Sequence, residues 1–207
     1  MTFTAAPGEP GGDTWGTLPV EQRAAGPWGL PGSYDPVRKI VYWGVANPNP
    51  YTRLTRHGRA DAVPFTSPAN LYSNSTLALD IETGQYKWHF QAVHHDLWDY
   101  DLPSAPGLLD VMINGRLTPI IAAAGKTGYL YILDRVTGKP IYDVHEMPVP
   151  TETDIPDEKP SPTQPMSATP PIAKLSWDAT DIASVTAAHR AYCEKFIADN
   201  KGAPAKP

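Results

Sequence analysis

The chain has 207 residues, 41% of them apolar and 19% charged, with 16 Gly, 24 Pro and a formal net charge of −5. That length holds one domain or little more, and the loop formers fall short of the ~25–30% that marks a disordered chain, so a loop-rich β protein fits and a helical bundle or coiled coil does not. The longest apolar runs, Ile120 to Ala124 and Leu130 to Leu133, are far shorter than the ~18 residues of a bilayer span, and with no basic block or Arg/Lys stripe no nucleic-acid partner is expected.

Residues 1–33 are rich in Gly and Pro around Trp15 and Trp28, an opening that holds its shape only when other structure pins it. Lys39 to Val45 is a β-branched and aromatic run that predicts a strand. Residues 46–71 are polar and predict a long loop. Ser75 to Asp80 predicts a second strand, Glu82-Thr83-Gly84 a turn, and Tyr86 to Gln91 a third strand. Ile120 to Ala124 and Gly128 to Asp134 predict two more, with Val136 to Lys139 the next turn. Strands joined by short turns, with no helices interleaved, predict an antiparallel all-β fold. The stretch 146–171 holds eight prolines and is expected to be a linker or surface-draped segment without regular structure. Thr186 is placed to cap a helix over 187–199, with Ala188, Tyr192 and Phe196 on one face and Gly202 beyond its end. The expected division is a β region over 1–145 and an accessory region over 146–207. Cys193 is the only cysteine, which excludes an intramolecular disulfide, a CxxC pair, a four-Cys zinc site and a c-type haem. The first residues have neither a basic nor an apolar segment of the kind a signal peptide needs, so none is expected.

One segment repeats. Ala78 to Trp88 lies over Ile132 to Tyr142, both reading Asp-x-x-Thr-Gly and then an aromatic four residues after the Gly. Asp80 and Asp134 are 54 residues apart, the size of one four-stranded propeller blade. Asp and Thr side chains close such a turn and Gly takes its positive φ, after which the aromatic returns to pack on the neighbouring blade. Turn chemistry alone also selects these residues, so a coincidental pair of hairpins is the alternative.

Several familiar signals fail. Gly125-Lys126-Thr127 ends like a phosphate loop, but Ile120 stands where that loop needs Gly. His94 and His95 are adjacent, and on an extended chain they face opposite ways, which makes a poor metal pair. No Ser sits in a GxSxG elbow. What remains is His94 to Pro103, where Asp99 and Asp101 share a face if the chain is extended. Two carboxylates so close repel unless a cation lies between them. Spacing alone favours an Asp/Pro-rich loop capping its own backbone; the functional alternative is a hard-cation site beside a general base. A glycosidase pair fits badly, because carboxylates ~6–7 Å apart on one strand do not flank a bond from opposite sides.

Gly11 to Trp15, Gly32 to Pro36, Trp43 to Pro48, Asn70 to Ser75, Ala78 to Trp88, His94 to Asp101, Lys126 to Gly128 and Ser161 to Pro165 follow one another along nearly the whole chain. In these stretches and their order the chain resembles the quinoprotein alcohol dehydrogenases, eight-bladed propellers that use pyrroloquinoline quinone and a bound metal. The repeat then resembles the family's tryptophan-docking motif, with Tyr142 in place of Trp in the second copy. The resemblance implies that Asn47 is an amide ligand to a metal, Asp99 the base that accepts the alcohol proton, and Asp101 the extra carboxylate of lanthanide-using members, also found in some calcium-dependent sugar-oxidising ones. Asp99 and Asp101 would join Asn47 around calcium or a lanthanide. Lys126 is implied as the donor to the quinone oxygens and Trp28 as the ring stacked under the cofactor. His95 and Asp96 are read as neighbours that hold the Asp99 loop.

The family's metal-binding Glu, its disulfide region and its first blades are expected upstream of Met1, so the chain is read as roughly two to three blades of a longer enzyme. Alone, it is expected to be inactive or weakly cofactor-binding. The implied activity is oxidation of an alcohol or sugar hydroxyl to a carbonyl in the periplasm. A cytochrome c or a quinone is the implied electron acceptor, and the remaining blades are partners. The reading from another class is a non-catalytic propeller module serving as a scaffold, which has no need to keep Asn47, Asp99 and Lys126 together.

Overall fold

Strand β2 (Ile40–Gly44) alternates buried and half-buried positions, and pairs antiparallel with β1 (Ser33–Asp35) on one side and β3 (Ser75–Asp80) on the other. β3 pairs in turn with β4 (Tyr86–Gln91), giving a four-stranded sheet in chain order. A second sheet orders β5 (Gly107–Ile113), β6 (Arg116–Ala124) and β7 (Leu130–Asp134), and a two-stranded ribbon joins β8 (Val144–Pro148) to β9 (Thr163–Ser167). This computed structural model describes residues 3–29, 31–52 and 69–200, and within them the chain is mostly β, in three small antiparallel sheets with one helix, α1 (Ala187–Asp199). Met1–Pro170 forms one compact unit holding all three sheets, and Pro171–Pro207 forms a second.

Among the described residues the first unit has two apolar clusters. Ile40, Tyr42 and Ala78 from the four-stranded sheet meet Ile121, Tyr131 and Leu133 from the three-stranded one. Val45 and Leu77 instead pack with Ala5, Ala25 and Tyr72. The Gly/Pro-rich opening is therefore pinned. Arg23 donates to the carbonyls of Leu18, Ala5 and Gly12 at 2.8, 2.8 and 3.2 Å, and the buried Trp15 indole donates to Leu71 O at 2.5 Å.

The two repeat copies fold alike. Asp80 Oδ1 accepts from Glu82 N, Thr83 N and Thr83 Oγ1 at 3.0–3.1 Å, and Asp134 Oδ1 accepts from Val136 N, Thr137 N and Thr137 Oγ1 at 2.8–3.0 Å. Bonds led by the Thr83 N–H, with the Lys87 ammonium and Thr83 hydroxyl next, hold the Asp80 carboxyl down at about 2. Gly84 and Gly138 both take φ 71°. The aromatic of the first copy reaches the second turn: a Cβ on Gly138 would lie 2.5 Å from Trp88 Cε3, so the indole packs directly on that glycine. After the second turn the returning chain pairs at the bridge Leu133 to Pro140, flanked by Asp134 N donating to Lys139 O at 2.7 Å and Ile141 N donating to Ile132 O at 2.8 Å; proline fits there because its position is a non-hydrogen-bonded one.

Three expectations change. The Pro-rich stretch is partly regular, since β8 pairs with β9 from Val144↔Ser167 to Pro148↔Thr163; prolines are tolerated because a two-stranded ribbon is all edge. A hairpin the pattern reading passed over joins β5 to β6 through Asn114 (φ 51°) and Gly115 (φ 77°), the pairing of residues that a two-residue turn favours. β1 was also not anticipated. Of the loop expected over 46–71, residues 53–68 lie outside the described residues, and Asn49 bridges Ala24 in the remainder.

In the second unit α1 begins where expected, with Thr186 Oγ1 accepting from His189 N at 3.1 Å. Arg190 donates to Ala179 O at 2.9 Å and Ile182 O at 3.2 Å, tying α1 to a 3-10 turn at Ala179–Asp181. Gly202 lies outside the described residues.

Candidate active site

Beyond β4 three consecutive residues tie the chain to three different places. The His94 ring meets Gln91 Oε1 at 2.6 Å and Glu146 Oε1 at 2.9 Å, while its backbone N–H and C=O exchange bonds with the Gln164 amide at 2.8 and 2.9 Å. His95, fully buried, meets Asn70 Oδ1 and Glu158 Oε1, both at 2.8 Å. The two rings share neither partner, so they form no ligand pair. Asp96, also fully buried, accepts from Trp98 N and Tyr100 N, both at 2.8 Å, and from Asn74 Nδ2 at 2.9 Å. Burial pushes its carboxyl above the ordinary carboxylate range, against the pull of these bonds.

The loop then passes between two glycines. A Cβ on Gly44, at the end of β2, would lie 2.0 Å from Leu102 O. A Cβ on Gly125, just past β6, would lie 2.5 Å from Leu102 Cδ1 and 2.7 Å from Asp101 O. Only glycine leaves room there, and the close approach lets Lys126 N donate to Asp101 O at 3.0 Å.

Lys126 Nζ lies between the two carboxylates, 2.6 Å from Asp99 Oδ2 and 2.7 Å from Asp101 Oδ2. The bond to Asp101, then the one to Asp99, pushes the lysine pKa further up, so it stays an ammonium. Asp101 is fully buried, and its Oδ1 accepts the backbone N–H of Asn47 at 2.7 Å. The same Nζ stands 5.7 Å from the centroid of the exposed Trp28 ring. Trp28 and Asn47 help line a hollow of about 240 Å³, with Gly26, Ala46 and Asn49.

The five residues singled out from the sequence thus converge: Asn47, Asp99 and Asp101 around one ammonium or its partner, and Trp28 beside it. The route differs from the expectation. No strand runs through 96–103, and Asp99 is not extended but left-handed, with φ 63°. Asn70, Asn74, Gly44, Gly125 and Glu158 also shape the site, beyond the residues the sequence predicts. The Asn-rich run before β3 and the glycines closing β2 and β6 were the available signals.

The arrangement suits some ligands better than others. An open indole face with a cation beside it fits a planar ring bearing carbonyl or acidic oxygens. For a hard cation the donors are of the right kind, amide and carboxylate oxygen. Yet both carboxylates already hold Lys126, and no group of three His, Cys, Asp or Glu side chains among the described residues is placed to hold a metal ion.

The sequence matches the family described as PQQ, glucose/ethanol/alcohol dehydrogenase, β-propeller domain, over residues 2–204. It is 39% identical over 165 residues to the probable quinate dehydrogenase (quinone) of Xanthomonas campestris pv. juglandis, covering 79% of this chain and 20% of that protein. It is 41% identical over 168 residues to the quinoprotein glucose dehydrogenase of Gluconobacter oxydans, covering 80% and 19%. A solved quinohemoprotein alcohol dehydrogenase from Pseudomonas putida HK5 aligns with a TM-score of 0.54 and 28% identity, over 72% of this chain and 23% of that one. The chain spans about a fifth of the length of these curated relatives.

Proposed function

The chain belongs to the quinone-dependent glucose/ethanol/alcohol dehydrogenase β-propeller family, and from that premise we propose that it supplies the base, the ammonium and part of the cation site for oxidising an alcohol or sugar hydroxyl to a carbonyl. Pyrroloquinoline quinone, when bound, is the two-electron acceptor, and calcium or a lanthanide beside it a Lewis acid. Asp99 accepts the hydroxyl proton on its carboxylate, whose Oδ2 is already oriented by Lys126 at 2.6 Å. Lys126, kept charged by its two carboxylate partners, would donate a further N–H to the oxygens of the planar group and offset negative charge there. Trp28 offers the flat face for stacking. Asn47 and Asp101 would hold the cation by amide and carboxylate oxygen, Asp101 sharing oxygens that now accept from the Asn47 N–H and Lys126.

The observation that carries the reading is one ammonium bridging two carboxylates beside an open indole; a scaffold has no use for that cluster. The family likeness supports a periplasmic setting, a cytochrome c or quinone as electron acceptor, and assembly with further blades. In the test, the chain is titrated with pyrroloquinoline quinone, with and without calcium or lanthanum, while tryptophan fluorescence is followed. Binding should weaken about tenfold or more in Lys126→Met, the loss expected for a charge-assisted hydrogen bond. Equal affinity in the two proteins would sink the reading.

A further inference from the structure

Trp98 N and Tyr100 N, the two amides flanking Asp99, both point at the carboxylate of Asp96, one to each oxygen. Alternate N–H groups of a backbone that reverses its hand between them converge on a single anion, as in an anion nest. The residue that does so is Asp99, with φ 63°, a conformation that costs a non-glycine residue about 1 kcal/mol or more. From the outer side the turn is braced by Asn74, whose Nδ2 donates both to Asp96 Oδ2 and, at 3.0 Å, to Tyr100 O. Asn74, the turn residue just before β3, is itself fixed by its backbone, its N–H on Ala46 O at 2.9 Å and its C=O accepting from Ala92 N at 2.8 Å. Both residues are fully buried.

We infer that the buried Asn74–Asp96 pair is the positioning device of the site: it holds Asp99 left-handed so that its carboxylate leaves the loop toward Lys126. Lys126 Nζ bonds Asp99 and Asp101 rather than this pair, and the pair meets the lining of the hollow through the Asn74 backbone N–H on Ala46 O, so its side chains act on the ammonium through Asp99. A turn-capping Asp need not be fully buried: half-buried Asp80 and Asp134 each accept two backbone N–H groups in the two repeat turns. Burial of Asp96 makes its acceptors unavailable to water and its bonds correspondingly obligatory. The inference rests on the role proposed for Asp99 only in what the positioning is for.

The experiment uses the whole 207-residue chain, labelled with ¹⁵N. In the wild-type protein the Trp98 and Tyr100 amides should exchange with solvent as slowly as the β3 amides of Leu77 and Ala78, although neither lies in a strand; unprotected amides there would overturn the inference at once. In Asp96→Asn only one side-chain acceptor remains: with its oxygen on Tyr100 N–H and Asn74 Nδ2, the new NH₂ confronts the Trp98 N–H, and in the flipped orientation it confronts the other two donors. Exchange at one of the two amides, Trp98 or Tyr100, should then rise about tenfold or more, with β3 protection retained. The Lys126 ¹⁵Nζ resonance should move toward that of free lysine as Asp99 swings away. An Asp96→Asn protein that frees either amide but leaves the Lys126 resonance in place would reduce Asp96 to a structural turn residue and overturn the assignment. Should the wild-type chain show no quinone binding, the proposed function fails while the exchange results stand, so the two failures are distinguishable.

Discussion

At the scale of single residues the site depends on what is missing from Gly125. Its backbone lets the Asp101–Leu102 segment come close enough for Lys126 N to reach Asp101 O. A methyl group there would lie 2.7 Å from Asp101 O, a backbone atom with no rotamer to retreat into. Gly125→Ala should therefore cost about 1–3 kcal/mol in urea unfolding, the usual range for overpacking. It should also weaken quinone binding, because Asp101 and Lys126 are displaced together. Gly107→Ala is the control: the nearest atom to its Cβ would be 3.7 Å away, an ordinary contact, and it should stay within about 0.5 kcal/mol of wild type. Equal stabilities for the two variants would show that the close approach is not needed.

At the scale of elements the two Asp-x-x-Thr-Gly turns are a matched pair differing in one contact. Gly84 and Gly138 share φ 71° and the same carboxylate cap, but a Cβ on Gly84 meets nothing within 4 Å, whereas on Gly138 it meets the Trp88 ring. Gly84→Ala should lose only the left-handed penalty, about 1 kcal/mol. Gly138→Ala should lose that and a further 1–3 kcal/mol or so of overpacking against the indole. Calorimetry on both proteins isolates the docking contribution; identical losses would mean Trp88 does not bear on the turn. These turns were legible in the sequence because their chemistry is local, Asp, Thr and Gly acting within five residues. The helix start at Thr186 was legible for the same reason. Chemistry carried by long-range contacts was not. Asn74 and Asp96 are 22 residues apart and meet only through the β3–β4 pairing. The site residues themselves came from family likeness, and their common point, Lys126 Nζ, is 25 and 27 residues from its carboxylate partners. Pro content hid the β8–β9 ribbon, since it reads as a breaker wherever pairing partners are unknown.

At the scale of the molecule the β5–β6 hairpin has a surface that a free chain pays for. Met112 and Leu117 face each other across the strands, 65% and 62% exposed, and Leu109 is 47% exposed in the same edge strand. β5 is seven residues long, contains no proline, and among the described residues is hydrogen-bonded to another strand on one side only, in the order β5-β6-β7. An edge of that length beside exposed apolar side chains is a template for pairing, and Asp110 is the one charge within it that opposes this. Studied alone, at about a fifth of its relatives' length, the chain should therefore self-associate. Its sedimentation coefficient should rise with concentration over tens of micromolar. A Met112→Lys, Leu117→Glu double variant should return it toward the monomer value without lowering its unfolding midpoint, since both side chains already lie in water. The opposite charges face each other across the hairpin, so the strand pair itself is kept. A wild-type chain that stays monomeric throughout that range would show that the Asp110 charge and the twist of the hairpin suffice to guard the edge.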